Sequence, residues 1–535
     1  MASIRQLSRR VALSMLLSLV LAVATATAQT TEGCVRVTIL QVNDVYQFMP
    51  VDQGTRGGLE RVLYLRKKIA QDAPNMLLLL SGDTISPSVE SIKLKGEQMI
   101  FAWNTIGLDY ATLGNHEFDF GPDELMKRIR ESKFKWIAAN VMDKNSGGYF
   151  GGIDPFVIRE FQGVKVGLFG ILLPETMTTS SPGKNVLIRQ PCEAAREIVP
   201  KMRAKGAQVV VAITHLAMKQ DKELAHCVPD IDLIIGGHEH TLLQSLAGRT
   251  PIFKMTADAR ELGRFDLNID ARSGKLQSVD WKVIPVTQDL DKRADFAALT
   301  KEFAAVTDKY KEQLATYNEV VGRTTVELDA GSESNRTGET NVSDFITDTF
   351  RKAYGADVAL INGGSIRADT VYQPGTLSKH DVLAILPFGG EIMKIQVTGA
   401  TLRRALEHGV SQSGPGAEPG NFPQVSGLRF SYDTSLPPGA RVKKVTVGGQ
   451  PLDDTRTYTL ATSAYLIGGG AQYTMFKGAR TLTKPGEVQT DTNLLMKAIS
   501  SVESIAPQTD GRIERLNQPA KDTQNDCNLA PVEKK

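Results

Sequence analysis

The feature that most constrains this chain is a series of short apolar runs, each followed at once by a polar cluster. From residue 35 to about 285 the runs read "VRVTIL", "NMLLLL", "YATL", "VKVGLFGI", "QVVVAIT" and "IDLIIG". Amphipathic segments lie between them. "LERVLYLRKKIA" spaces Leu59, Val62, Leu63 and Ile69 along one helical face. "GPDELMKRIRESK" opens with a first-turn proline followed by acids, the pattern of a helix N-terminus. Runs that are apolar throughout and alternate with helices predict strands buried on both faces of an α/β layered fold. In such sheets the loops that carry chemistry gather at the strand C-termini.

Those loops share one kind of chemistry. "QVNDVYQ" supplies Asp44, "SGDT" supplies Asp83, and "GNHE" supplies Asn115 and His116. "THLA" adds His215, and "GGHEH" adds His238 and His240. A single His at a strand end is most often a satisfied core residue, and a Gly-Asp pair is most often a turn. The chain has only 7 histidines, however, so four at strand ends of one domain is a concentration. Asp and Asn oxygens mixed with imidazoles suit a pair of transition ions such as Zn, Mn or Fe. Two such ions sharing a carboxylate polarise a phosphoryl group and activate a water at neutral pH. Asn115 can ligate through its carbonyl, which leaves His116 facing the substrate.

At 535 residues the chain is long for one domain, and two are expected. Residues 289–319 are charged, free of Pro and Gly and helical in period, as a connecting helix would be. From 320 to 516 a second unit mixes helices ("VSDFITDTFRKAYG", "TLRRALEHGV") with strands ("DVALI", "IMKIQV", "VKKVTV", "YTLAT"), and 517–535 reads as a polar tail. Residues 1–28 combine a basic start, an apolar core shorter than a bilayer span and a small-residue cleavage site, the pattern of a signal peptide. That predicts export to a periplasm or the exterior, with no membrane association once the leader is removed. Net charge is only +2, and removing the three leader arginines turns it slightly negative, so no nucleic-acid partner is expected. Cys34, Cys192, Cys227 and Cys527 allow three pairings, of which Cys34 with Cys527 would tie the two ends.

In the second unit, "SESNRTGETNVSDF" and "INGGSIRADT" set Arg336 and Arg367 beside small residues. Gly363 and Gly364 would let a backbone approach a ligand, and an Arg fork suits a carboxylate or phosphate. Phe388 in "LPFGG" and Tyr465 in "TSAYLIGGGAQY" are the aromatics of this region; either alone is more often core.

The order "ND", "GD", "GNHE", "TH", "GGH" resembles the calcineurin-like metallophosphoesterases, specifically the secreted 5′-nucleotidase / UDP-sugar hydrolase family, along essentially the whole mature chain. The resemblance implies an N-terminal four-layer αββα metallophosphoesterase domain over 33–288, the connecting helix at 289–319, and a C-terminal α/β nucleotide-binding domain over 320–516. It implies two divalent metal ions (Zn, Mn, Co or Fe) and a small-molecule nucleotide partner, with phosphate released from nucleoside monophosphates. Nucleotide sugars, polyphosphates, cyclic nucleotides and non-nucleotide esters are variants, and a catalytically weak nucleotide- or metal-binding relative is the alternative. By its pattern Asp83 is the bridging carboxylate, with Asn115, His215 and His238 on one metal and Asp44 and His240 on the other. His116 is the non-ligand histidine that steadies the phosphoryl transition state or protonates the leaving oxygen, oriented by Asp119. Arg336, Asn362, Gly364, Arg367, Phe388 and Tyr465 match the nucleotide pocket, where two aromatics sandwich the base.

Two positions depart from that pattern. The family reads Asp-x-His where this chain reads Asp44-Val45-Tyr46, so Tyr46 either ligates as a phenolate or packs, and His240 makes up the missing ligand. The family's Gly-Gly-Asp-Gly loop is here Gly469-Gly470-Ala471-Gln472. Ala471 cannot accept ribose hydrogen bonds, and Gln472 is a partial substitute.

Overall fold

The computed structural model describes residues 33–415 and 417–517. The leader at 1–28, the tail beyond residue 517 and Cys527 lie outside the described residues.

The first domain holds two six-stranded sheets. In one, Cys34–Val42, Met76–Leu80, Tyr110–Thr112 and Lys135–Ile137 run parallel, and Glu261–Asp270 and Leu276–Pro285 close the edge beside Cys34–Val42 antiparallel. In the other, Val164–Leu172, Val209–His215, Leu233–Gly236 and Thr250–Lys254 are parallel, with antiparallel strands at both edges. Side chains alternate across each strand. Val37, Ile39, Leu77 and Leu79 therefore meet Leu168, Val211, Ile213 and Ile235 between the sheets. The opposite faces, through Leu40, Leu78, Ala212 and Ile234, join helix residues such as Val62, Trp103, Ile198 and Leu224. The layers are helix, sheet, sheet, helix, the αββα order expected. Cys192 and Cys227 form a disulfide with Cα atoms 6.0 Å apart, fastening the helices Pro191–Ala204 and Met218–Cys227. Cys34 lies exposed at the start of the first strand, and a pairing with Cys527 falls outside the described residues.

The segment expected as one connecting helix is instead broken into Gln288–Leu290, Phe296–Thr300, Lys301–Phe303 and Ala304–Ala315. Phe296 packs on Tyr64 with centroids 5.3 Å apart, Tyr310 packs on Phe48 at 6.0 Å, and Phe303 is buried between them in sequence. The Thr300 hydroxyl donates to Glu60. The segment follows the contour of the first domain and belongs to its core rather than standing free.

The second domain is built on a sheet ordered Pro423–Ser426, Val358–Asn362, Thr457–Ser463, Glu391–Thr398 and Arg480–Thr481. The expected helices appear as Asn341–Tyr354, capped by the Thr340 hydroxyl and stopped by left-handed Gly355, and Gly399–Gly409. The strand Val358–Asn362 ends in the tight turn Gly363–Ser365, which aims Arg367 at the first domain. Arg260 joins the two units there, pairing with Asp52 on its own side and with Asp369 at 3.2 Å on the other.

Candidate active site

Glycines let the strand-end loops of the first domain close on one another. A Cβ on Gly114 would fall 2.1 Å from Asp83 Oδ1, and one on Gly237 would fall 2.3 Å from the Ser81 carbonyl. Asp44, Asp83 and His238 all adopt positive φ (53°, 60° and 83°), a conformation that costs non-glycine residues and concentrates at functional sites. Glu117, the unassigned acid of "GNHE", holds the geometry. Its carboxylate accepts from the backbone N–H groups of Asp83 (2.9 Å), Thr84 (2.7 Å), Ile85 (3.3 Å) and Gly114 (2.5 Å). Burial and the Asp83 charge push its carboxyl up to about 7 against those donors.

The structure brings Asp44, Asp83, His215 and His240 together. Oxygens of Asp44 and Asp83 and a ring nitrogen of His215 lie within 4.8 Å of one another. His215 Nε2 is 3.1 Å from Asp83 Oδ2, and His240 Nε2 is 3.5 Å from Asp44 Oδ1. His238 packs edge-on against His215 with centroids 5.3 Å apart. Second contacts fix the rings and carboxylates: His215 Nδ1 meets the Ser81 carbonyl at 2.9 Å, and Asp44 Oδ2 accepts from the His238 N–H and from Asn43, each at 2.9 Å.

The cluster fits a metal on two observations. Asn115 Oδ1 is a buried polar atom with no hydrogen-bond partner, although it belongs to the predicted ligand set. The electrostatics also call for positive charge. Burial would raise the Asp44 and Asp83 carboxyls, but the surrounding imidazoles outweigh it and hold both below the usual range. Burial would lower His215, yet Asp83 and Asp44 push it up to about 10. His238 and His240 are lowered, chiefly by burial, which leaves their ring nitrogens neutral and able to ligate. Burial, then Asp44 and Asp83, push the Tyr46 phenol well above its ordinary value.

His116 stands beside the cluster rather than within it. Its Nε2 is 4.0 Å from Asp83 Oδ2, and its Nδ1 is 2.7 Å from Asp119, whose other oxygen accepts from Ser180 at 2.7 Å. Phe388 reaches this ring from the second domain, with centroids 6.1 Å apart and planes inclined by 26°. Arg367 lies over the Tyr46 ring at 5.2 Å and keeps a buried Nη2 without a hydrogen-bond partner. Arg336 is buried nearby, its charge opposed by burial and by Arg367. Two adjacent guanidiniums with unpartnered nitrogens form a place for an anion.

Two second-domain residues are arranged differently from the expectation. The close approach permitted by Gly364 is made by the chain itself: a Cβ there would lie 2.8 Å from the Gly420 carbonyl. Asn362 donates to that same carbonyl at 2.9 Å and accepts from Ser365 at 2.7 Å, so it braces the loop. Tyr465 leaves a half-exposed ring and accepts from the Ala471 N–H at 2.9 Å. Ala471 and Gln472 both have positive φ, and the Ala471 carbonyl meets His408 Nε2 at 2.7 Å.

Sequence reading missed a buried charge cluster beneath the histidines. The Lys254 ammonium donates to the carbonyls of Leu216 and Gly237, next in sequence to His215 and His238, and pairs with Asp221 at 2.8 Å and with Glu239. A lone Lys in the strand "TPIFK" gives no hint of this. The signal lay in Glu239, an acid between two predicted ligands.

Residues 37–242 match the family model described as calcineurin-like phosphoesterase, and residues 320–478 match the model described as 5′-nucleotidase, C-terminal domain. The chain is 29% identical over 542 residues to a trifunctional nucleotide phosphoesterase protein of Bacillus subtilis (strain 168), covering 92% of this chain but only 36% of that longer protein. It is 28% identical to a snake venom 5′-nucleotidase of Gloydius brevicauda, covering 90% of this chain and 89% of the other. A solved 5′-nucleotidase precursor from Thermus thermophilus superposes with a TM-score of 0.80 at 27% identity, over 91% of this chain and 100% of that one.

Proposed function

We propose that this chain, a metal-dependent phosphoester hydrolase of the 5′-nucleotidase family, is exported and releases phosphate from nucleoside 5′-monophosphates. One observation carries the reading: the second domain presents Phe388 to His116 and Arg367 to Tyr46, so an aromatic platform and a guanidinium face a metal cluster across one cleft. A phosphate at the cluster would leave its base within reach of rings.

In this reading Asp83, Asn115, His215, His238, Asp44 and His240 would together hold a pair of divalent ions. When bound, such a pair neutralises phosphoryl charge and lowers the pKa of water. Arg336 and Arg367 hold the non-bridging phosphate oxygens, with Arg367 suited to forked contact. Phe388 and Tyr465 stack on the base, which explains recognition without a fixed nucleobase. His116, oriented through Nδ1 by Asp119, presents Nε2 to the cleaved ester. There it would supply the proton that the leaving nucleoside oxygen takes as a water oxygen replaces it on phosphorus. The Cys192–Cys227 disulfide suits an oxidising compartment and supports export, as do the leader residues of the sequence. No helix among the described residues is long and apolar enough to cross a membrane.

A second reading, a phosphoester without ribose, is favoured by one site. Ala471 offers a methyl where a ribose-binding acid is expected, and its backbone groups are already engaged. Phosphate release should be measured on purified protein with AMP, GMP, UDP-glucose, a cyclic nucleotide and glycerol phosphate, each with Mn, Zn, Co or Mg. AMP and GMP should exceed glycerol phosphate clearly in kcat/KM. Equal rates on all three would reject nucleotide specificity while leaving the hydrolase intact.

A further inference from the structure

We infer that Ser180 is a positioning residue for the reaction: its hydroxyl locks the Asp119 carboxylate, and through Asp119 it fixes the His116 ring. The inference rests on the role read above for His116 at the leaving oxygen, and adds the residue on which that role depends. Ser180 lies in none of the motifs that carry the family resemblance.

The line of contacts is short and unbroken. Ser180 Oγ donates to Asp119 Oδ1 at 2.7 Å, and Asp119 Oδ2 meets His116 Nδ1 at 2.7 Å. The last torsion of an aspartate is soft, broad rather than sharply staggered. A carboxylate held by His116 alone could swing about that bond and carry the ring with it. A second donor on the other oxygen removes the swing, and His116 Nε2 keeps its place 4.0 Å from Asp83 Oδ2. The side chains of His116 and Asp119 are each only 13% exposed, so little water is at hand to replace a lost hydroxyl.

The turn that carries Ser180 holds that hydroxyl still. In "TMTTS" the hydroxyls of Thr176, Thr178 and Thr179 donate back to main-chain carbonyls, that of Leu173 at 2.8 Å and that of Glu175 at 3.0 and 3.1 Å. Ser180 alone of the four directs its hydroxyl to a side chain. Its N–H donates to the Thr176 carbonyl at 3.1 Å, and the Leu173 N–H donates to the His215 carbonyl at 2.9 Å, so the turn is fastened to the strand end behind it. In front, Thr176–Thr179 packs against Gly470–Gln472 of the second domain. Held from both sides, the Ser180 hydroxyl is a fixed donor aimed at the one acid that orients His116.

A double-mutant cycle on the purified full chain tests this, with manganese supplied and AMP as substrate. Ser180→Ala should lower kcat about 10-fold and leave KM for AMP unchanged. In a His116→Ala background the same substitution should cost nothing further, because the ring it positions is gone. Ser180→Thr, which keeps the hydroxyl, should retain most of the rate. An equal fold-loss in both backgrounds overturns the inference and makes Ser180 a brace of the fold alone. An unimpaired Ser180→Ala beside an impaired His116→Ala also overturns it, while leaving the role of His116 standing. A His116→Ala protein at the unmutated rate overturns both, and so does a chain inert toward AMP. Should Ser180→Ala fail to fold, the cycle is run with Ser180→Gly, which also removes the hydroxyl, and the same outcomes decide.

Discussion

Asp83 and Phe388 face one cleft from opposite domains, and they are held in opposite ways. Asp83 is 1% exposed, clamped by Glu117 through its backbone and pressed by Gly114. Phe388 is 43% exposed and Tyr465 41%, so each keeps part of its ring open to solvent. The polar groups expected to help them, Asn362 and Gly364, are engaged with the Gly420 loop. On the proposed reading, chemistry is fixed in one domain, while recognition in the other would rest on rings and guanidiniums that tolerate different occupants.

Substitutions should separate along that line, with metal content as the sorter. Asp83→Ala should bring phosphate release to the background rate and lower bound metal; wild-type turnover would break the comparison outright. His116→Ala should lower kcat by about 10²–10⁴-fold. Its metal content by elemental analysis should stay unchanged, because the ring stands outside the cluster. Lys254→Met should weaken metal affinity by about 10–100-fold through loss of support behind His215 and His238. A competing chelator titration reads that change, and an unaltered affinity would place Lys254 in fold stability alone. Phe388→Ala should cost about 1–3 kcal/mol of binding, seen as a higher KM for AMP and GMP alike. Loss of metal in this variant would show that the domains are not independent. Ala471→Gly should have the smallest effect, relieving a left-handed alanine by up to about 1 kcal/mol in denaturant unfolding without touching metal content.

Much of the first domain was legible because parallel strands buried on both faces are written as unbroken apolar runs, and the ligand candidates follow directly after them. "LERVLYLRKKIA" is the helix Leu59–Ala70 to the residue. Legibility ended where partners are distant in sequence. Lys254 finds Asp221 and Glu239 only through the folded sheet, and Arg260 finds Asp369 only across the domains. The broken segment at 289–319 was hidden for another reason. Its period is helical, with Phe296, Phe303 and Tyr310 seven apart on one buried face, and nothing in that pattern announces the tightened turn at Lys301–Phe303. In the second domain, Asn362 and Gly364 were visible as a motif, yet whether they touch a ligand or the chain's own loop depends on residue 420, which no local pattern announces.

Glu117 has a further consequence. It joins the Asp83 and Asn115 loops through main-chain groups alone, so the way these two loops lie against each other is set as the polypeptide folds. In surroundings poor in trace metals such an enzyme would fall idle without coming apart, and resupply would restart it with no need for renewed synthesis.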